Sequence, residues 1–564
     1  MYLPTTINEV KQRGWKNLDV ILVSGDSYID SPYIGIAVIG HVLTNAGFKV
    51  GIIAQPDIES DQDITRLGEP NLFWGISAGS IDSMVANYTA SRKKRRQDDY
   101  TPGGVNNKRP DRATIVYTNL VKRYFKNTKP IVLGGLEASL RRLAHFDYWS
   151  EKIRRSILFD SKADYLIYGM AERSVIEFAN LLQQNQTPEN VRGLCYISKD
   201  PIDDYITLPS YETVCEDKNL FIDAFHLFYK NNDPLTAKGL VQAHGDRYLI
   251  QNPPAIYLSQ DELDQVYSLP FERNLHPFYA ANGTVKALET IKFSINTHRG
   301  CYGECNFCAI AVHEGRTIRW RSEESILSEA ENLTKLKEFK GYIHDVGGPT
   351  ANMYGFDCTK KISRGVCADR RCLSPVMCSA LRPTHKPQVN LLKKLRTIEG
   401  VKKIFVASGI RYDLILKDRS FGNTYLNEIV EHHVSGQMKI APEHTNDSIL
   451  NLMGKPGSTE LLAFKARFDK LNQQKGKKQF LTYYFIAAHP GCSDREMEEA
   501  RKFAIKELKI LPEQVQIFTP TPSTYASLMY YTELNPFTKE PIFVEKDLHR
   551  KNKQKQILVN KSQR

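Results

Sequence analysis

Three cysteines stand in the segment His298-Arg299-Gly300-Cys301-Tyr302-Gly303-Glu304-Cys305-Asn306-Phe307-Cys308, spaced CxxxCxxC. Three thiolates on so short a loop can hold three corners of a cubane iron–sulfur cluster. The fourth iron then has no protein ligand and stays open to a small molecule. Electron-transfer clusters of this size use four cysteines, so a three-cysteine set describes a reactive site. A structural zinc is the competing chemistry, because His298 and His313 flank the loop and three cysteines with one histidine form a zinc set. Free core thiols are a third reading, and the turn-forming, polar Gly300, Gly303, Glu304 and Asn306 count against it.

A second group, Cys358, Cys367, Cys372 and Cys378, falls within twenty-one residues with gaps of eight, four and five. Four thiolates can hold an auxiliary iron–sulfur cluster or a zinc. Lys360, Lys361, Arg364, Arg370, Arg371 and Arg382 share the segment, and positive charge favours thiolate. The gaps match no tight motif, so free or redox-active thiols stand as the alternative.

These residues must be positioned by regular elements. Residues 18–53 read strand–loop–helix–strand: an apolar run Leu18 to Val23, loop chemistry from Ser24 to Pro32, helical spacing from Ile34 to Ala46 ended by Gly47, and the run Phe48 to Ile53. Leu72 to Ile76, Ile131 to Gly135 and Ala163 to Gly169 continue the series, which predicts a parallel sheet. Ser91 to Arg112 is basic and rich in Pro, Gly and Asn, and reads as a surface or disordered loop. Residues 200–285 are mixed in pattern. A second βα series starts near residue 290. Ile291 to Asn296 feeds the cysteine loop, Ser322 caps a helix from Glu323 to Leu336, and strands follow at Gly341–Val346, Ile404–Ser408, Met438–Ala441 and Leu481–Ile486. Strands alternating with helices predict a parallel barrel with functional residues at strand carboxyl ends.

The cysteine spacing, with Phe307 just before the last cysteine, is that of the radical S-adenosylmethionine (SAM) enzymes, and the chain resembles them. More narrowly it is similar to the YgiQ-type radical SAM proteins over nearly its whole length. The resemblance implies an α/β fold: an N-terminal Rossmann-like parallel-sheet domain, then a partial TIM-barrel radical SAM core. It divides the chain into residues 1–200 (Rossmann-like, similar to cobalamin-binding domains through Ile131–Glu137 and Ala163–Glu172), 201–285 (connecting layer), 286–535 (partial barrel) and 536–564 (basic tail). It implies a [4Fe–4S] cluster on Cys301, Cys305 and Cys308. SAM would chelate the open iron, and its reductive cleavage would give a 5′-deoxyadenosyl radical that acts on an unknown substrate.

The same resemblance assigns the rest of the site. A Gly-Gly-Glu-like motif binds the SAM amino group in the family. Here it is Gly347-Gly348-Pro349, so the carboxylate contact is not carried over, and a plain turn closing the strand is the alternative. After the fourth strand, Ser408 suits the ribose and Arg411 the carboxylate of SAM, with an Arg411–Asp413 ion pair as the plain alternative. Glu443 and His444, after the fifth strand, are candidate acid/base groups, against a helix-capping role for the segment at Thr445 or Asn446. His489, after the sixth, is read in the same way. Phe307 belongs near the adenine. Cobalamin-binding relatives carry Asp-x-His-x-x-Gly after the first strand. The matching Asp26-Ser27-Tyr28-Ile29-Asp30 places Tyr28 where the histidine would be, and a phenol of pKa about 10 is a poor cobalt ligand. Cobalamin is therefore left open, and if bound it is expected without a histidine ligand.

Length and composition bound these readings. The chain has 564 residues, enough for two to four domains, with 41 % hydrophobic and 25 % charged residues, ordinary for a globular protein. No run approaches a membrane span, and the start at Met1 to Val10 lacks a secretory layout, so cytoplasm is expected. Eight of ten cysteines lie between residues 301 and 492, unlike the short chains of secreted disulfide scaffolds. Net charge is +12. Arg92-Lys93-Lys94-Arg95-Arg96 and the end from Arg550 to Arg564 supply much of it, and such runs are solvated loops or tails or contact nucleic acid. A zinc-stapled nucleic-acid-binding protein is the rival function. Expected partners are an unknown substrate and a reductant such as flavodoxin or ferredoxin.

Overall fold

A computed structural model of the chain describes residues 1–559. It divides into two compact units, Met1–Leu258 with Gln265–Lys292, and Ser259–Asp264 with Phe293 onward.

The first unit is built on a nine-stranded sheet. Its strands are β1 (Val20–Ser24), β2 (Val50–Ala54), β3 (Phe73–Ser77), β4 (Ile131–Leu133), β5 (Tyr165–Ile167), β6 (Leu194–Ser198), β7 (Ile206–Leu208), β8 (Leu240–His244) and β9 (Arg247–Gln251). Their spatial order is β7-β8-β9-β6-β5-β4-β3-β1-β2. The stretch from β2 to β5 is parallel throughout, and β6 adds antiparallel to β5. β1 and β2 are buried at every position, which is why they read as unbroken apolar runs. Helices α1 (Gly35–Asn45) and α3 (Glu172–Gln183) send apolar residues into the core, as does α2 (Ala113–Tyr124).

Two expectations change here. Residues 201–285 are not a connecting layer: β7, β8 and β9 extend the same sheet, and Asn274–Leu275 pairs with Ile29–Asp30. The turn Gly245-Asp246 between β8 and β9, with Gly245 at φ 64°, is the hairpin signal that marks them. The basic segment 91–112 is an ordered strap rather than a loose loop. Its exposed cations Lys93 to Arg96 ride on a backbone anchored by the buried Asp98, Thr101, Asn106 and Arg109. The charge run hid these anchors.

The second unit carries β10 (Ser294–Asn296), β11 (Tyr342–Ile343), β12 (Asp345–Gly347), β13 (Lys403–Ile404), β14 (Gln437–Glu443), β15 (Phe480–Ala487) and β16 (Gln514–Ile517). His344 splits one strand into β11 and β12. β12 pairs with β10 and β11 with β13, both parallel. A parallel bridge Ile410–Ile440 joins the β13 strand to β14, and β14, β15 and β16 run parallel in turn. Six strand positions thus adjoin in chain order, the winding of a partial barrel. Helices α4 (Glu323–Thr334), α5 (Lys386–Leu395), α6 (Ser458–Gln474) and α7 (Asp494–Phe503) alternate with them, and Ser322 caps α4 by accepting from Ser325 N at 3.1 Å.

Counted this way, the strand before Ser408 is the third, not the fourth, and those before Glu443 and His489 are the fourth and fifth. A long excursion, whose one helix is the short Thr359–Arg364, separates β12 from α5. The end of the chain is also not a solvated tail through Val559. Helix α8 (Leu548–Val559) buries Lys551, Gln554 and Leu558. Lys551 donates to the Tyr530 hydroxyl at 2.7 Å, and Gln554 to Cys492 O at 3.2 Å. The remainder of the predicted tail, 560–564, lies outside the described residues.

Candidate functional site

The cysteine loop is held at both ends and in the middle. Thr297 donates from N and Oγ1 to Gly347 O at 2.7 and 3.0 Å, fixing the exit of β10 on the last residue of β12. His298–Arg299 then pairs antiparallel with Arg319–Trp320, so the cysteines sit in the excursion between two pinned strands. Asn306 N donates to Met453 O at 2.9 Å and its Nδ2 to Leu452 O at 2.8 Å, while Ala526 N donates to Asn306 O at 2.8 Å. Cys308 N turns back onto Cys305 O at 2.9 Å. All three cysteines are half-buried.

The loop and its neighbours surround the sulfurs with donors. Gly303 N lies 3.4 Å from Cys301 Sγ, and Thr350 Oγ1 lies 3.5 Å from it. Arg411 Nη1 stands 3.8 Å from Cys305 Sγ. Burial, and then the Cys305 thiol, push the Cys308 thiol up. Burial also raises Cys301, with Cys305 adding to it and Thr350, Gly303 and Arg411 opposing. Bare thiols that repel one another stay protonated, and a cationic metal centre removes that penalty. The donor set therefore fits an iron–sulfur cluster. Among the described residues, no three His, Cys, Asp or Glu side chains group as a single metal ion requires. His298 Nδ1 is taken by Thr297 Oγ1 at 2.8 Å.

The Gly-Gly turn follows directly. A Cβ on Gly348 would lie 2.7 Å from the His298 ring, so only glycine lets this backbone pass. Burial pulls His298 down to about 4, which keeps the imidazole neutral. Ser408 is held by Asp345: its hydroxyl donates to one carboxylate oxygen, and Ala407 N and Ser408 N donate to the other at 2.7 and 3.1 Å. Arg411 is clamped by Asp413, Nε to Oδ1 at 2.8 Å and Nη2 to Oδ2 at 2.7 Å. Its backbone is clamped too, by Asn352, whose Oδ1 accepts from Arg411 N at 2.8 Å and whose Nδ2 donates to Arg411 O at 2.9 Å. His385 and Asp418 continue this buried chain, Nδ1 to Oδ2 at 2.8 Å.

Glu443 closes β14 in a strained geometry. Pro442 offers no N–H, and between Ile440 and Glu443 the strand gains one residue on its β15 partner, a bulge. Glu443 then takes φ 70°, unusual for a non-glycine residue. Its carboxylate is buried, Oε2 has no hydrogen-bond partner, and Oε1 is 4.0 Å from Lys455 Nζ. Burial raises its pKa and Lys455 only partly offsets this. His444 Nε2 meets Cys492 Sγ at 3.5 Å, and burial lowers the imidazole to about 4. His489 Nδ1 donates to Pro490 O at 2.9 Å, Nε2 has no partner, and burial lowers it to about 3. Its ring meets that of Phe307 edge-on at 6.3 Å. Strand ends four and five are thus brought to the cysteine loop by Phe307, His489 and Met453.

Thr350, Asn352, His385, Asp418, Lys455 and Cys492 escaped the sequence reading. Thr350 and Asn352, directly after Gly-Gly-Pro, were within reach of it. Asp418 and His385, thirty-three positions apart, carried no signal. The second cysteine group is mixed in exposure: Cys358 is buried, Cys372 and Cys378 are half-buried and Cys367 is exposed. Cys358 and Cys372 pack in one apolar cluster with Tyr302 and Cys301. Cys378 N donates to Cys372 O at 2.9 Å. Arg371 docks this segment on the cysteine loop through Asn306 Oδ1 at 2.6 Å and Glu304 O at 3.2 Å.

A partial barrel of this winding, with three thiols at the end of its first strand, defines a radical SAM protein. The family model described as Radical SAM N-terminal matches residues 2–294, and a domain of unknown function, DUF3362, matches residues 513–562. A UPF0313 protein of Fusobacterium nucleatum is 58 % identical over 99 % of both chains. One of Thermotoga neapolitana is 51 % identical over 100 % of this chain and 99 % of its own. The chain belongs to the UPF0313 family of radical SAM proteins. Among solved structures, the radical SAM methyltransferase TsrM of Kitasatospora setae, with cobalamin and a [4Fe-4S] cluster bound, matches with TM-score 0.52 and 12 % identity over 91 % of this chain and 74 % of that one. At that identity the likeness is one of fold. No helix among the described residues is long and apolar enough to cross a membrane.

Proposed function

We propose that this protein is an enzyme in which Cys301, Cys305 and Cys308 bind a [4Fe–4S] cluster and the open iron takes SAM. Bound together, cluster and SAM supply a 5′-deoxyadenosyl radical for hydrogen abstraction from a substrate. The observation that carries this reading is the three-thiol loop facing the Arg411 guanidinium, with no fourth cysteine in it.

The chain's own residues orient and shield. Gly348 lets the turn backbone approach closely, in the place where the family receives the SAM amino group. Arg411 offers positive charge to the SAM carboxylate while Asp413 holds its plane. Phe307 suits the adenine. Ser408, already bonded to Asp345, presents the pair to the ribose. Glu443 and His489, each with one buried unpartnered atom, are the groups able to take or give a proton to substrate. His444, held by Cys492, supports them.

A one-electron reductant of the flavodoxin or ferredoxin class would serve the cluster. The exposed Lys93 to Arg96 run suits an anionic partner such as nucleic acid.

Anaerobic reconstitution tests the reading. About four iron and four sulfide per chain, with 5′-deoxyadenosine released from SAM on reduction, is the expected result. Zinc in place of iron, or no SAM cleavage by iron-loaded protein, overturns it.

A further inference from the structure

Open parallel sheets bind their ligands in the crevice outside the strand carboxyl ends, at the point where strand order reverses. In the N-terminal sheet that point lies between β1 and β3, because β2 follows on one side of β1 and β3 lies on the other. By that rule a ligand of this sheet, a cobalamin included, belongs in this crevice. The chain fills it with its own basic strap.

Arg109 does the closing. Its Nη1 lies 2.8 Å from Asp26 Oδ1, in the loop after β1, and donates at 2.8 Å to Ala78 O, in the loop after β3. Nη2 pairs with Asp98 Oδ2 at 3.0 Å. One buried guanidinium thus ties both rims of the crevice together. Burial alone would lower its pKa, but Asp26 and Asp98 hold it raised, so it stays charged.

The strap also covers the loop after β2. Gln55 Nε2 donates to Gly25 O at 3.0 Å and to Thr101 Oγ1 at 2.6 Å, and Ser27 N donates to Tyr100 O at 3.1 Å. There is no slack between the rims. A Cβ on Gly79, at φ 105°, would stand 2.2 Å from Asp26 Oδ1, and one on Gly25 would stand 2.2 Å from Ala78 O. Tyr28, at the place of the cobalt-binding histidine, is fully buried. Its hydroxyl accepts from Leu3 N at 3.0 Å and its ring stacks on His276 at 5.4 Å. It packs among core residues.

We propose that this N-terminal sheet takes no cobalamin, because Arg109 and the strap 98–109 occupy the crevice that the fold offers it. The sheet is a scaffold here. Resting on the radical SAM reading above, the consequence is that cobalamin-dependent methyl transfer is closed to this enzyme, and the radical acts on substrate directly.

The test uses the full chain, anaerobically loaded with iron and sulfide. It is incubated with hydroxocobalamin, passed through gel filtration and assayed for cobalt, and the same sample is assayed for 5′-deoxyadenosine. Hydrogen exchange is followed at the Ser27 and Gly103 amides, which donate to Tyr100 O and Thr284 O. The expected result is no retained cobalt, and amides protected at least about a hundredfold, with or without hydroxocobalamin. Near-stoichiometric cobalt overturns the proposal. So do freely exchanging amides, which would mean that the crevice stands open. Loss of 5′-deoxyadenosine with cobalt absent would instead strike the radical SAM reading, so the two failures are separable.

Discussion

Arg411 stands with Nη1 3.8 Å from Cys305 Sγ while Asp413 grips its Nε and Nη2 at 2.8 and 2.7 Å. Sequence reasoning offered the ion pair and the functional contact as rivals. The structure makes them one device: the carboxylate occupies one edge of the guanidinium and so points the other edge at the cysteine loop.

Arg411→Lys keeps the charge but loses the planar fork. SAM affinity should fall about tenfold while iron content holds near four per chain. Isothermal titration on reconstituted protein measures the first and iron analysis the second. Unchanged affinity would show that the fork faces nothing that matters.

Replacing Cys301, Cys305 and Cys308 together by Ala should remove SAM cleavage altogether. The same variant separates the two cysteine groups. A second cluster on Cys358, Cys367, Cys372 and Cys378 would leave about four irons in it and bring the wild type to about eight. A folded variant with neither iron nor zinc would reduce the group to free thiols docked on the loop by Arg371.

Glu443 is a buried carboxyl with an unpartnered oxygen, and its pKa is raised by burial. A raised carboxyl stabilises the fold only while protonated, so its cost appears as pH rises above about 4.5. Glu443→Gln should therefore raise stability by about 1–3 kcal/mol at pH 8 and do little near pH 4. Thermal melts at the two pH values decide it. Equal effects at both would mean that the carboxyl is not the source.

His298, His444 and His489 titrate in the opposite sense. Burial lowers them to about 4, about 4 and about 3. Depressed histidines give stability above the unfolded pKa of about 6.5 that is lost as pH falls toward the folded values. Each should cost about 1 kcal/mol by pH 5.5. His489→Gln, measured by denaturant unfolding, should flatten the slope between pH 6.5 and 5; an unaltered slope removes His489 from this account.

Removal of helix α8 should destabilise the second unit, because Lys551, Gln554 and Leu558 are buried from it. Truncation after Asp547 is expected to lower the melting temperature by several degrees. An unchanged melt would return the segment to the solvated tail that its composition suggested.

Much of the fold was legible in local pattern. The apolar runs of β1, β2 and β3, the Gly47 stop and the Ser322 cap are short-range signals, and each marks its element to within a few residues. Charge-rich stretches misled. Between residues 91 and 112, and again at the end of the chain, surface cations outnumber the few buried anchors, so composition reads solvent where the backbone is packed. The strands of 201–285 alternate too weakly to stand out beside their mixed neighbours.

The sequence by itself determined the number and spacing of the loop thiols and the radical SAM class they point to, because these are properties of a dozen consecutive residues. It also determined the repeated βα series that places strand ends beside that loop. Only the tertiary structure decided which side chains complete the site. Asp345 with Ser408, Asn352 with Arg411 and His444 with Cys492 are each joined across tens of residues. Their pairing depends on barrel winding, on a one-residue bulge at Glu443 and on burial that fixes protonation, none of which local spacing encodes.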